Sequence, residues 1–341
     1  MSRSGRMLRE LAGWIPPGLA RAFGRPAALF FHGVEPAIAD PRIQRNHHDA
    51  AQFRTIARTL KENFDVLPLA ALDEVLKAPE RHPRALFLMS DDGYANTLGV
   101  AADILEDLRL PWTLFVSTHH IDTGEWNPLT LARLFLFHAP ERSYLLPQIG
   151  AIALAQDAQR EAVATRFLAR FKALTADQAK EALEGMLSAL GQARLFELME
   201  RFSSERFLNW SEVRALQARG VEIGAHAQWH WPMNAAQSLE WLREQAHGAR
   251  ARIADEIGEC RHFAYPFGNR RDVSGEAWRA VRDAGYEHAF TTLSGSLDGG
   301  ANPWLLPRHG LGSREANLAA LVPLLRAGNG RLARWQGRLA G

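Results

Sequence analysis

Three apolar runs in this chain each end abruptly in a polar or aromatic cluster, and that repeated junction restricts the fold more than any other feature. Ala85-Leu86-Phe87-Leu88-Met89 runs into Ser90-Asp91-Asp92-Gly93-Tyr94. Val221-Glu222-Ile223-Gly224-Ala225 runs into His226-Ala227-Gln228-Trp229-His230, and His262-Phe263-Ala264-Tyr265 into Pro266-Phe267-Gly268. Short strand-like runs alternate with helical stretches along the chain, which implies a parallel sheet joined by right-handed crossovers. In such sheets and barrels the polar groups that follow strand C-terminal ends carry the chemistry. With 13 histidines in 341 residues, an isolated His pair four residues apart carries little weight. The ordered set of three junctions carries much more.

Between the junctions the reading is coarser. Ala27 to Phe31 forms the first strand. Asp49 with Gln52 three residues on predicts a capping box opening a helix over Ala50 to Asn63, with Phe53, Ile56, Ala57 and Leu60 on one face. His47 and His48 just before it are expected to be loop histidines rather than ligands. A helix is expected from about Thr97 to Leu108 and a strand from Trp112 to Ser117. From about 127 to 207 the chain is rich in Ala, Leu, Glu, Gln and Arg with helical periodicity, and reads as a helical insertion. It would form either a wall or lid of a substrate groove or a packing elaboration without substrate contact; His138 within it is expected to be a core or surface residue.

Composition allows one large catalytic domain, with 47% hydrophobic residues over a length that single α/β barrels commonly reach. The expected organisation is a basic segment over 1–25, a catalytic domain over 26–312 and a basic helical tail over 313–341. Cys260, the only cysteine, can form no internal disulfide and reads as a small buried residue. No apolar run is long enough to cross a bilayer, and Pro16-Pro17 interrupts the N-terminal apolar stretch before a signal-peptide core can form. A cytoplasmic location is therefore expected. The formal charge of +2 is uneven: residues 1–25 and 314–341 each hold five Arg and one Glu, so the body is acidic, which argues against nucleic acid as a partner. Met7, Leu8, Leu11, Trp14 and Ile15 repeat at helical spacing beside Arg3, Arg6 and Arg9. A helix packed on the barrel is the preferred reading, and peripheral contact with an anionic membrane surface the alternative.

At the three junctions the chain resembles the polysaccharide deacetylase family, also called NodB-like or carbohydrate esterase 4. The family pattern is an Asp-Asp-Gly after a strand, a His-x-x-x-His and an aromatic-rich Pro-Tyr/Phe-Gly turn. The likeness extends to Leu29-Phe30-Phe31-His32-Gly33-Val34, Leu110-Pro111-Trp112-Thr113-Leu114-Phe115-Val116, Trp210-Ser211-Glu212-Val213 and Leu306-Pro307-Arg308, covering roughly residues 26 to 125 and 205 to 312. Among its branches the exopolysaccharide N-deacetylases are the most similar. The resemblance implies a distorted (β/α) barrel, here with the helical insertion, and removal of N-acetyl groups from amino sugars of a glycan. In a cytoplasmic setting a lipid-linked or nucleotide-linked precursor suits better than a finished wall polymer.

The chemistry can be set beside it. Amide hydrolysis needs an activated water, a stabilised oxyanion and a proton for the departing nitrogen. Two imidazoles one helical turn apart plus one carboxylate leave open positions on a divalent metal, and His226, His230 and Asp92 supply that set; zinc is expected, with Co, Ni, Fe or Mn as alternatives. Side chains of adjacent residues diverge, so one of Asp91 and Asp92 can bind metal while the other takes the water's proton. By resemblance Asp92 is the ligand, Asp91 the base, and the backbone of Phe267 an oxyanion donor. Many members hold the base with an Arg two residues before the Pro. That position is Ala264 here, so Arg308 is expected to pair with Asp91. The usual Leu-x-His is missing; by analogy with the Tyr-His of the exopolysaccharide branch, His32 in Phe31-His32 is the expected acid and His309 its competitor. Tyr265, Trp229 and Trp126 are the expected sugar contacts, with Trp231 and His119 as further candidates. Two other functions fit the same residues: hydrolysis of another small amide, such as a formamide or cyclic amide, and a catalytically silent glycan-binding protein on the same barrel.

Overall fold

The computed structural model describes residues 25–155, 157–297 and 300–311. The expected basic helices at the two ends therefore lie, apart from Arg25, outside the described residues. In chain order the strands are β1 (Ala27–Phe31), β2 (Val34–Glu35), β3 (His48–Asp49), β4 (Asp65–Val66), β5 (Ala85–Ser90), β6 (Thr113–Val116), β7 (Arg142–Leu146), β8 (Gly150–Leu154), β9 (Glu222–Ala225), β10 (His262–Ala264), β11 (His288–Phe290) and β12 (His309–Gly310).

Eight of them form one parallel sheet in the order β11-β10-β9-β6-β5-β1-β12, with β4 pairing the first residues of β5. The sheet curls into a half-barrel with helices outside it. One extended segment bridges its edges: Leu306 is bridged to Phe290 at the end of β11, and three residues later His309 and Gly310 pair with β1. That bridge carries Arg308 across the mouth of the barrel.

Alternation along the strands assigns the two faces. Leu29, Phe31, Leu86, Leu88, Leu114 and Val116 pack outward against the helices. Ala28, Phe30, Phe87, Met89, Phe115, Ala264 and Phe290 fill the barrel interior. Because both faces are covered, every residue of β1 and β5 is buried, and the strands read as continuous apolar runs. The helix Ala50–Asn63 closes one flank. Asp49 caps it by accepting from the Ala51 and Gln52 N–H groups, and Phe53, Ile56, Ala57 and Leu60 form its buried face. The segment after β5 begins with a wide π-helical turn, Thr97–Ala101, before the α-helix Ala102–Asp107.

The stretch expected to be wholly helical contains four helices, Pro128–His138, Asp157–Phe171, Ala176–Leu190 and Gln192–Arg201, but also the antiparallel hairpin β7–β8. Tyr144, Leu146, Ile152 and Leu154 of the hairpin face a core shared with these helices. That core also takes in Trp229 and Trp231, so the inserted region packs directly on the loop that bears the two site histidines. Among the described residues no helix is long and apolar enough to cross a membrane.

Candidate active site

The C-terminal ends of β1, β5, β9 and β10 converge on a cavity of about 240 Å³ lined by His32, Asp91, Asp92, His226, His230 and Phe267, with Phe30, Asn46, Tyr94, Asn127, Leu129, Arg133, Lys172, Asn269 and Thr292 around them. The backbone is strained at three of these junctions. Among the non-glycine residues with positive φ are Asp92 (78°), Ala227 (61°) and Phe267 (60°), in the turns after β5, β9 and β10. Such conformations cost about 1–3 kcal/mol each and persist only where the surroundings over-determine them. Gly268, at φ 60°, is required by contact as well: a Cβ there would come within 2.8 Å of the Thr292 nitrogen.

The turn after β5 separates the two carboxylates. Asp91 donates its N–H to the Phe31 carbonyl at 3.0 Å, and its side chain enters the barrel mouth. There the Arg308 guanidinium meets it with two parallel bonds, Nη1 to Oδ1 at 2.7 Å and Nη2 to Oδ2 at 2.8 Å. Arg308 is fully buried, with its guanidinium carbon 4.5 Å from the Phe30 ring centre and its Nε donating to the Thr291 carbonyl at 3.2 Å. Burial pushes the Asp91 carboxyl up, but the Arg308 charge outweighs it and holds the group below its ordinary value. Arg308 thus stands where an Arg before the Pro-Phe-Gly turn would otherwise be needed, and Ala264 is free to pack inside the barrel.

Asp92 turns the other way. Its Oδ1 lies 3.2 Å from His226 Nε2 and 3.0 Å from His230 Nε2, and all three side chains are buried. Burial again pushes the carboxyl up, and His230 and His226 together hold it well below the usual range. The His226 main-chain N–H donates to the Val116 carbonyl, and its ring Nδ1 lies 2.7 Å from the Ala264 carbonyl. Since a carbonyl only accepts, Nδ1 carries the hydrogen, and Nε2 is the ring nitrogen turned toward Asp92. In the neutral form that metal ligation requires, that nitrogen and the carboxylate are two acceptors facing each other in a buried site, and Asp92 Oδ1 has no hydrogen-bond partner among the described residues. A cation between them resolves this arrangement. The donor set of two imidazole nitrogens and one carboxylate oxygen, all within 4.8 Å of one another, fits a divalent first-row ion. The histidines reach this position from an irregular loop after β9 rather than from a helix turn.

Phe267 follows Pro266 at the mouth, its ring edge-on to His230 at 4.7 Å, and its N–H has no acceptor among the described residues. His32 follows β1 directly and lines the cavity, and its carbonyl accepts from the Ser90 hydroxyl at 2.9 Å. Burial pulls its imidazole below the ordinary value, opposed by the charges of Asp92 and Asp91. His309 is not among the cavity-lining residues: its Nε2 bonds the Gly295 carbonyl at 2.9 Å, and burial pulls its pKa down to about 4.

The expected sugar contacts are divided. Tyr265 lies in the core, fully buried, with its hydroxyl donating to the Trp304 carbonyl at 2.9 Å; it has no face to offer a sugar, which corrects that assignment. Trp231 is likewise buried and donates to Leu174. Trp126, Trp229 and His119 line a second cavity of about 450 Å³ beside the first, walled by Leu183, Leu187, Leu195 and Met199 of the inserted helices.

His47 and His48, expected to be loop histidines, are both buried, and His48 belongs to β3. His47 Nδ1 lies 3.1 Å from Glu35 and 3.3 Å from Glu205, and His48 Nε2 bonds the Leu311 carbonyl. Cys260 is buried, and its thiol is pushed up to about 12, which makes it a poor nucleophile. Sequence reasoning missed Arg133 and Lys172, which the inserted region adds to the catalytic cavity; isolated basic residues on helical stretches carried no distinguishing signal.

A family model for polysaccharide deacetylases matches residues 78–289, which contain both Asp residues, both histidines and the Pro-Phe-Gly turn. A search of curated proteins finds no match. Solved structures with a similar fold include a deacetylase, PplD, from Streptococcus pyogenes in complex with acetate, at TM-score 0.58 and 13% identity, covering 88% of this chain and 98% of that one. IcaB from Ammonifex degensii aligns with TM-score 0.56 at 13% identity over 88% of this chain and 97% of its own. A de-N-acetylase from Aggregatibacter actinomycetemcomitans aligns with TM-score 0.53 at 16% identity over 88% of this chain and all of its own. The shared architecture and the family match over most of the barrel lead to one conclusion: the chain belongs to the polysaccharide deacetylase family and is an amide hydrolase of that class.

Proposed function

We propose that the protein removes N-acetyl groups from amino sugars of a glycan or glycan precursor, with Asp92, His226 and His230 holding a divalent cation, Asp91 acting as base and His32 as acid. A divalent cation bound by these three residues would lower the pKa of a coordinated water and polarise the amide carbonyl. Asp91, kept ionised by Arg308, accepts the proton that the attacking water gives up. The Phe267 N–H, free of other acceptors, donates to the oxygen on which negative charge develops. His32 delivers a proton to the nitrogen as the carbon–nitrogen bond breaks, so that a neutral amine leaves. Loss of the acetyl group as acetate completes the balance of atoms.

The observation that carries this reading is the opposite engagement of two adjacent carboxylates in one cavity: Asp91 is bound by Arg308, and Asp92 faces two imidazole nitrogens. A turn that served only structure would give no reason for both to be buried and separately charged. The presence of His32 on the cavity wall, with His309 bonded to the Gly295 carbonyl and outside the cavity lining, supports His32 as the acid. The test is release of amine from a panel of N-acetyl and N-formyl amino sugars, with and without chelator. Chelator-sensitive release from N-acetyl sugars is expected; release only from formamides, or from no member of the panel, would overturn the assignment.

A further inference from the structure

The catalytic cavity holds two cations that the hydrolysis does not use, Arg133 and Lys172, and both come from the inserted region. Arg133 lies on the helix Pro128–His138, and Lys172 directly follows the helix Asp157–Phe171. Arg133 is part-buried and has no hydrogen-bond or ion-pair partner among the described residues; its Nε is shielded from solvent, which leaves the rest of the guanidinium to face the cavity. The acids whose charge reaches it are engaged elsewhere, Glu205 with His47 and Glu161 with Arg45. Lys172 has no salt bridge among the described residues. Its Nζ lies 4.6 Å from the centre of the Phe267 ring, and Asp272, the acid that feels its charge, is bound by Asn269. Two cations without counter-charges on one cavity wall are an unfavourable arrangement that a bound anion would relieve.

The charge balance points the same way. Asp91 is neutralised by Arg308, and a divalent cation would exceed the single charge of Asp92, so the wall is positive overall once Arg133 and Lys172 are counted. A neutral sugar leaves this field uncompensated. An oxyanion of planar or tetrahedral shape suits the guanidinium fork of Arg133, with the Lys172 ammonium as a second point charge.

We infer that Arg133 and Lys172 form an anion-binding subsite of the catalytic cavity, so that the substrate is an N-acetylated amino sugar bearing a phosphate or a carboxylate near the acetamide. This rests on the proposed deacetylation for the identity of the sugar, but not for the anion site itself. Calorimetric binding separates the two. Metal-loaded protein carrying Asp91→Asn, which slows turnover, is titrated with N-acetylglucosamine 1-phosphate, with a disaccharide joining N-acetylglucosamine to a uronic acid, and with neutral di-N-acetylchitobiose. At least one anionic ligand should bind about tenfold or more tightly than the neutral one, and the tighter of the two identifies phosphate or carboxylate. Arg133→Gln and Lys172→Gln should each remove most of that preference, 0.5 M salt should weaken it, and Arg133→Lys should keep part of it. Equal binding of all three ligands would overturn the inference, and so would variants that weaken neutral and anionic ligands alike. If wild-type enzyme deacetylates no N-acetyl sugar yet binds the anions through Arg133, the proposed reaction fails and the subsite stands. If it deacetylates neutral and anionic sugars equally, with Arg133 irrelevant, the reaction stands and the subsite fails.

Discussion

Replacing Arg308 by methionine should expose how strongly this site depends on one buried ion pair. The guanidinium makes two bonds of 2.7 and 2.8 Å to Asp91, the arginine is fully buried, and Asp91 is 2% exposed. Methionine fills comparable space among Phe30, Phe115 and Phe290 but leaves a buried carboxylate with no counter-charge, a loss of about 3–5 kcal/mol. For a domain of this size, with an unfolding entropy of about 2.1 cal/mol/K per residue, that lowers the melting temperature by roughly 5–8 °C. The sign with pH follows from linkage. Asp91 is held below its unfolded value of about 3.9, so the pair's stabilisation is present above that pH and fades as pH falls through the folded value. Without Arg308, burial dominates and raises the Asp91 carboxyl, so the variant's deficit should be largest near neutrality and shrink toward pH 4. The acid limb of kcat/KM should move to higher pH for the same reason. Thermal denaturation of metal-free wild type, Arg308→Met, Asp91→Asn and the double variant, at pH 7 and pH 4.5, measures both effects and the coupling between the partners. Metal-free protein avoids the stabilisation that ligand binding adds. A loss under about 1 kcal/mol at pH 7, or an unmoved acid limb, would refute the claim that Arg308 sets the state of Asp91.

Three further outcomes follow from the same geometry. His226→Ala and His230→Ala should each lose bound metal by elemental analysis, and stoichiometric retention after removal of both would disprove the ligand set. Asp91→Asn should keep its metal while losing about 10²–10⁴-fold in turnover, since the ligands remain and the base does not. His32→Ala should depress amide hydrolysis strongly while sparing an activated acetate ester, whose leaving group needs no proton; a larger amide-specific defect in His309→Ala would transfer the role.

The parts of the site legible in the sequence are those that one strand and its following turn determine. Ala85 to Met89 had to be a buried strand, and Asp91-Asp92-Gly93 had to turn at its end. Two adjacent side chains there could only diverge, as they do toward Arg308 and the histidines. What escaped depends on distant partners. His47 looks like a loop residue until Glu35 and Glu205, the latter 158 positions away in sequence, close around it. Tyr265 adjoins the third junction and reads as a sugar contact, but strand alternation turns it away from the mouth into the core, toward Trp304. The hairpin β7–β8 does alternate, with Tyr144 and Leu146 inward, yet Leu145 at its tip is 83% exposed, and that apolar outward residue masked the period within a helical neighbourhood. Arg133 and Lys172 left no mark because helical periodicity does not reveal which polar residue the tertiary fold turns toward the cavity.

The central claim is that this cavity cleaves an N-acetyl amide with a cation held by Asp92, His226 and His230. Its most direct test is the stoichiometry of acetate and free amine released from N-acetylated amino sugars by metal-loaded wild type, by chelated protein, by chelated protein resupplied with zinc, and by Asp91→Asn. The expected result is equal amounts of acetate and amine from the loaded enzyme, loss on chelation, recovery on resupply and near absence in Asp91→Asn. Release that persists in full without metal, or at the wild-type rate in Asp91→Asn, would contradict it.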